Sequence, residues 1–326
     1  MWQATNRFYY NAINDATHNY FTLQDFKHMK RLVALSVLIA LAMCAPRRDS
    51  RQEAAEVTTE SHSPVVRLSR AWSTAPEHTT CESVLYDAQR NIIYVSNING
   101  QPREMNGKGF LSRLSTEGHS IDLQWVTGLH APKGMAIKGD RLFVSDIIEL
   151  VEIDIADGKI VGKYGIEGAS FMNDVAVAAD GDIYVSDSDT GAIYVLRNDR
   201  LQVWTSGDVF NRPNGLWDNG PSMLVGNSGD GTLVSVSFAD LSVEHLADSL
   251  GHTDGIAPDG RGNFFVSSWS GQIFFVRSDW HVSKILDTEA DNKNCADIDY
   301  IQELKLLVVP TFFGNTVEAY RVDYGY

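Results

Sequence analysis

The chain has 326 residues, a formal net charge of -15, and aromatic side chains at one residue in ten. That is ample material for a large core. The acidic balance, with no Lys/Arg-rich tract in the body of the chain, excludes nucleic-acid binding through phosphate contacts.

The first segment to set apart is N-terminal. Met29–Cys44, MKRLVALSVLIALAMC, has a basic start, an apolar run and a cysteine directly after it, the layout of an export signal too short to span a bilayer comfortably. Met29 is the expected initiator, with residues 1–28 upstream of the natural start. Leu41-Ala42-Met43-Cys44 resembles a lipobox that would lipidate Cys44, although Met43 stands where a small residue is usual. The expected location is therefore periplasmic, either as a soluble product or with the membrane engaged only through a lipid anchor at Cys44. Residues 45–63 are polar and nearly free of aliphatic side chains, a linker that cannot bury a core. The folded part is expected to run from 64 to 326.

Within it one pattern recurs. IYVSN at Ser96, LFVSD at Ser145, IYVSD at Ser186, MLVGN at Gly226, FFVSS at Ser267 and LLVVP at Val309 repeat at about 40 residues, the length of a four-stranded propeller blade. No long amphipathic helical pattern interrupts them. The third repeat reads as VAVAA, DIYVSD, GAIYVLR and LQVWTSG, separated by the turn signals Asp-Gly, Asp-Thr-Gly and Asn-Asp. The sixth has IDYI, LKLLVVP and TVEAYRV but no outer strand, while PVVRLSRAW at residues 64–72 is an unassigned strand. The expectation is an all-β, six-bladed β-propeller closed by that N-terminal strand, which removes an exposed edge. Cys81 and Cys295 then fall at matching inner-strand starts of neighbouring blades, where a disulfide is open to them if the geometry permits.

Inner strands line the channel of such a ring. Their leading residues are Glu82, Lys133, Asn173 with Asp174 beside it, Asn214, Asp254 and, in the sixth blade, Asp297 or a neighbour. Most are oxygen donors from separate blades, a set suited to calcium rather than to zinc, which prefers His and Cys. Any single Asx-Gly pair is also ordinary turn chemistry. Turns do not require Glu82.

CES at 81–83, FMND at 171–174, PNGL at 213–216 and TDGI at 253–256, on a six-bladed repeat, resemble the senescence marker protein (regucalcin)/gluconolactonase family, with paraoxonase-like features. The resemblance implies one divalent metal, Ca²⁺ or another such as Zn²⁺, Mg²⁺ or Mn²⁺, held by Glu82, Asn173, Asn214 and Asp254. It also implies hydrolysis of a small lactone or ester by a monomer. Three departures stand out. Phe171 occupies the place of the family's sugar-binding arginine, Lys133 in Pro132-Lys133-Gly134-Met135 replaces a paraoxonase catalytic histidine, and Ser83-Val84-Leu85-Tyr86 lacks the usual tryptophan.

If the chain is a hydrolase, the catalytic candidates are Asp254, as proton acceptor, and Lys133, as donor to the carbonyl. His130 and His252 lie in entrance loops as further bases. No G-x-S-x-G occurs, which disfavours a serine nucleophile. The competing reading is a non-catalytic exported propeller whose calcium ion ties the blades together while one face binds a peptide, glycan or protein. A strictosidine-synthase-like propeller ranks last, because Glu303 lies too far along the sixth blade to be its catalytic glutamate.

Overall fold

The computed structural model describes residues 65–325; the expected signal segment, the linker and Cys44 lie outside them. Strands are numbered β1 to β24 in chain order. β1 is Val65–Ser73, and the first blade is β2 (Cys81–Asp87), β3 (Ile92–Asn97), β4 (Gly109–Leu114) and β5 (Ser120–Leu129). The second is β6 (Pro132–Lys138), β7 (Arg141–Asp146), β8 (Glu149–Asp154) and β9 (Lys159–Gly165). The third is β10 (Met172–Val177), β11 (Ile183–Asp187), β12 (Ala192–Arg197) and β13 (Arg200–Ser206). β14 (Pro213–Asp218), β15 (Ser222–Asn227), β16 (Thr232–Ser237) and β17 (Val243–Ala247) form the fourth. β18 (Thr253–Pro258), β19 (Phe264–Ser268), β20 (Gln272–Val276) and β21 (Val282–Asp287) form the fifth. β22 (Asp299–Ile301), β23 (Leu306–Pro310) and β24 (Val317–Gly325) belong to the sixth, which takes β1 as its outer strand.

All six sheets have four antiparallel strands. β1 pairs with β24 from Val65 opposite Gly325 to Ser73 opposite Glu318, so the ring closes as the sequence predicts.

Strand alternation explains the core. Each blade is apolar on both faces and buries both against its neighbours. Six hydrophobic clusters result, each spanning one seam between adjacent blades. Tyr94, Leu111, Leu142 and Val144 belong to the seam between blades one and two; Phe265, Phe275, Leu307 and Val309 belong to that between five and six. The same arrangement settles the cysteines. Cys81 packs in the seam between the sixth and first blades and Cys295 in that between the fifth and sixth, on opposite faces of one blade. Both are free thiols, and burial pushes each up to about 12.

The recurring V-S-D has two mechanical roles. In five inner strands the register slips at the leading end: Cys81/Ser83, Pro132/Met135, Met172/Val175, Pro213/Leu216 and Thr253/Ile256. Such bulges re-aim the side chains at the slip. Where the second strand carries serine, its hydroxyl braces the bulge. Ser186 Oγ accepts from Asp174 N at 3.0 Å and donates to Asn214 O of the next blade at 2.8 Å. Ser267 does the same between Gly255 N, 2.8 Å, and Ala296 O, 2.7 Å. The following aspartate holds the incoming loop: Asp187 accepts from Ser170 N and Phe171 N, and Asp146 from His130 N and Ala131 N.

Ser186→Ala strips a donor and an acceptor from two buried backbone groups. It is expected to cost about 2–3 kcal/mol of stability, readable as a fall in the urea midpoint with an unchanged slope.

Candidate metal centre and channel mouth

The bulges deliver five side chains to one end of the channel: Glu82, Lys133, Asn173, Asn214 and Asp254. All five line a cavity of about 790 Å³. Gly215 shows how tightly the inner strands converge there, since a Cβ on it would collide with the backbone oxygen of Asp254.

At the sixth position, where the sequence leaves Asp297 or a neighbour, the structure selects the neighbour. Ser267 Oγ reaches Ala296 O as Ser186 Oγ reaches Asn214 O, which identifies Ala296 as the residue sent to the ring. Asp297 lies one step along the bulge, where it accepts a 2.5 Å hydrogen bond from Ser83 Oγ and ties the sixth blade to the first. Asp174 behaves similarly. Its carboxylate accepts from Val175 N at 2.7 Å and from Leu216 N at 2.6 Å, bracing blade three against blade four. Neither aspartate lines the cavity.

The ring is buried and crowded with charge. Glu82 is 5% exposed and Asp254 2% exposed. Burial, followed by the Asp254 carboxyl, lifts Glu82 well above the ordinary carboxylate range; burial and then Asp297 do the same to Asp254. Burial pushes Asp174 up to about 7. Lys133 is 1% exposed; its Nζ donates to Ala131 O at 2.8 Å and sits 4.5 Å from the centre of the Phe171 ring. Burial lowers its ammonium to about 8 against the opposing pull of Glu82.

The donor chemistry fits a hard cation. Among the described residues no trio of His, Cys, Asp or Glu is placed to hold a metal, so any ion here depends on amides as well as carboxylates. Glu82 Oε2 is buried without a hydrogen-bond partner, an orphan acceptor that a cation would satisfy. Asn173 spends an amide hydrogen on Ser188 Oγ at 3.2 Å, and Asn214 spends one on Asp254 Oδ1 at 3.1 Å. Both amide oxygens are thereby left for the ion. The set is oxygen-only, as calcium prefers.

Of the loop histidines, His252 lines the cavity, with Nδ1 3.1 Å from Ser228 O. His130 does not; its Nδ1 accepts from Gly107 N at 3.1 Å. The sequence reading missed the mouth. Trp269, Phe312 and Phe313 form one wall, and Arg212 lies on the rim, 3.6 Å from the Asp189 carboxylate that Arg103 also holds. Arg103 stacks on Phe171, 4.0 Å from the ring centre. The available signal was the adjacent pair Phe312-Phe313 before Gly314, in the loop between β23 and β24.

These features define a class: a six-bladed propeller with a polar ring of buried oxygen donors at one end of its axis. No protein-family model matches the sequence, and no curated protein matches it. Solved structures do share the fold. A gluconolactonase from Xanthomonas campestris is 19% identical with a TM-score of 0.57, covering 86% of this chain and 96% of its own. Regucalcin from Agrobacterium tumefaciens, described as a calcium-binding protein, is 17% identical with a TM-score of 0.56, covering 74% of this chain and 90% of its own. An inactive virginiamycin B lyase from Staphylococcus aureus, with quinupristin, is 9% identical with a TM-score of 0.57, covering 79% and 99%. The chain therefore shares with these proteins the fold of a six-bladed propeller.

Proposed function

We propose that the protein is a divalent-metal-dependent hydrolase of small lactones or esters, with Glu82, Asn173, Asn214 and Asp254 as the metal's ligands. The observation that carries this reading is the orphaned Glu82 Oε2 beside a buried lysine, at the base of a cavity wide enough for a small molecule. A gluconolactonase and a calcium-binding regucalcin on the same fold support it. When bound, the cation would polarise the ester carbonyl.

The chain's own groups supply the remainder. Lys133 retains an ammonium at neutral pH and, with one N–H spent on Ala131 O, has others to give to the carbonyl oxygen as negative charge develops there. Asp254, whose Oδ1 is held by Asn214 Nδ2 at 3.1 Å, in its ionised form takes the proton of the attacking water. That proton passes to the leaving alkoxide as the ring carbon–oxygen bond breaks. Burial of the ring excludes competing water. The Met29–Cys44 segment supports export to the periplasm, with tethering through Cys44.

The test is turnover of gluconolactone, γ-butyrolactone and a long-chain acyl lactone by residues 45–326, with calcium and after chelation. Lys133→Met is expected to lower kcat by about 10²-fold or more on any lactone turned over, with a smaller effect on KM. Calcium-dependent turnover lost in Glu82→Gln upholds the reading. No turnover, with chelation still lowering thermal stability, would instead assign the ion to structure and the protein to the binding class.

A further inference from the structure

The mouth of the cavity carries a second, separate message about what enters it. Trp269 and Phe313 are 38% and 54% exposed, yet their backbones are not loose. Trp269 N donates to His252 O at 2.9 Å, and Trp269 O accepts from Asn294 Nδ2 at 2.8 Å. The turn bearing Phe313 is tied by Gly314 N to Thr311 O, Asn315 N to Phe312 O and Thr311 N to Thr316 O. Phe312 has φ of 48°, a left-handed conformation that costs a bulky residue energy and persists only where its surroundings enforce it. They do: Phe312 bridges to Cys81 and packs with Ile98, Ala131, Ile147 and Ala296 in a collar directly around the channel end. Two exposed aromatic rings are thus held in fixed positions, at a cost in strain, on the wall of the cavity that contains Glu82 and Lys133.

The ring geometry discriminates among ligands. Trp269 meets Phe312 at 76° and Phe313 at 79°, and Phe312 meets Phe313 at 88°. Mutually perpendicular rings form a notch rather than one flat platform for a sugar face. Two of the neighbouring polar groups are engaged elsewhere: Asn294 with Trp269 O, and Lys293 with Glu318 at 2.7 Å. Phe171 carries the guanidinium of Arg103 and the ammonium of Lys133 over its ring. Ser270 and Asn292 also line the cavity, but within the notch a polyhydroxylated ring would meet only aromatic edges and faces, whereas an alkyl or aryl substituent would lose only water.

We infer that the substrate is a lactone or ester carrying an apolar chain, its carbonyl at Lys133 and its chain in the Trp269–Phe312–Phe313 notch. This rests on the hydrolase reading and names the substrate class of that site.

Two readouts separate the claims. The first is kcat/KM for the γ-lactones from γ-butyrolactone to γ-decalactone, and for gluconolactone, by the calcium-loaded protein. Each methylene seated in the notch is expected to raise kcat/KM by up to about fourfold. Phe313→Ala should flatten that slope and Phe313→Leu restore most of it. The second is calorimetric titration with the lactam analogue of γ-decalactone, which needs no turnover. Binding by the parent protein, weakened at least about tenfold in Phe313→Ala, is expected. Absence of lactone turnover with lactam binding intact sinks the hydrolase and leaves the apolar notch standing. A flat chain-length series, preference for gluconolactone, or lactam binding indifferent to Phe313→Ala overturns the inference, whatever the fate of the hydrolase.

Discussion

Asp254→Ala is expected to lower calcium affinity by at least about 100-fold, and Asn214→Ala to lower it nearly as far, as measured by calorimetric titration. Removing a carboxylate takes away both a formal charge and a ligand, and hard cations are tuned by ligand charge count. The amide acts in two ways. Asn214 supplies an oxygen, and its Nδ2 fixes Asp254 Oδ1 at 3.1 Å, so its loss also frees the carboxylate to turn. Both variants should remain folded, because the seam clusters do not include either residue. Unchanged metal content in both purified variants would defeat the site assignment.

The second large effect is on stability and comes from protons. Burial holds Asp174 at about 7 and Asp299 at about 6 in the folded protein, with Glu82 and Asp254 also raised well above the ordinary range. An unfolded chain releases these protons near pH 4. Between roughly pH 4 and pH 7 the folded state therefore binds more protons than the unfolded state, and stability falls as pH rises. Lys133, lowered to about 8, has the opposite sign and contributes only above that pH, where rising pH restores stability. In chelator, Tm is expected to drop by at least about 5 °C between about pH 5 and about pH 7.5. Excess calcium should reduce the drop by favouring ionised Glu82 and Asp254, without abolishing it, because Asp174 and Asp299 face backbone N–H groups instead. A chelated protein whose Tm rises over the same interval would show that these carboxyls are ionised in the fold.

How much of this was legible beforehand follows from where the information resides. Periodicity carries the ring: alternating strands at a fixed interval, and a strand left over at one end for a blade short of one at the other. Four oxygen donors and Lys133 were legible because Asx-Gly and its variants mark the bulge. In the sixth blade that mark is missing. Asn294-Cys295-Ala296-Asp297 contains no glycine, Asp297 is the conspicuous side chain, and only the bond from Ser267 to Ala296 O shows which residue faces the axis. The role of Asp174 was hidden for a related reason. Adjacent residues at a bulge look alike in sequence, while the slip in register sends one to the cavity and the other to Leu216 N. The aromatic notch was missed because Trp269 comes from one loop and Phe312-Phe313 from another, and nothing in one dimension brings them together.

The pairing of β1 with β24 has a consequence for how the molecule is made. The sixth blade cannot be completed until β24 exists, yet its partner β1 is synthesised roughly 250 residues earlier and must wait unpaired. Assembly of the ring is therefore a late event with a large sequence separation, slow and exposed to competing strand partners until it happens. The same latch delays loss of the fold. Neither end can peel away without giving up the other, so opening the circle requires breaking a complete antiparallel pair rather than fraying a terminus.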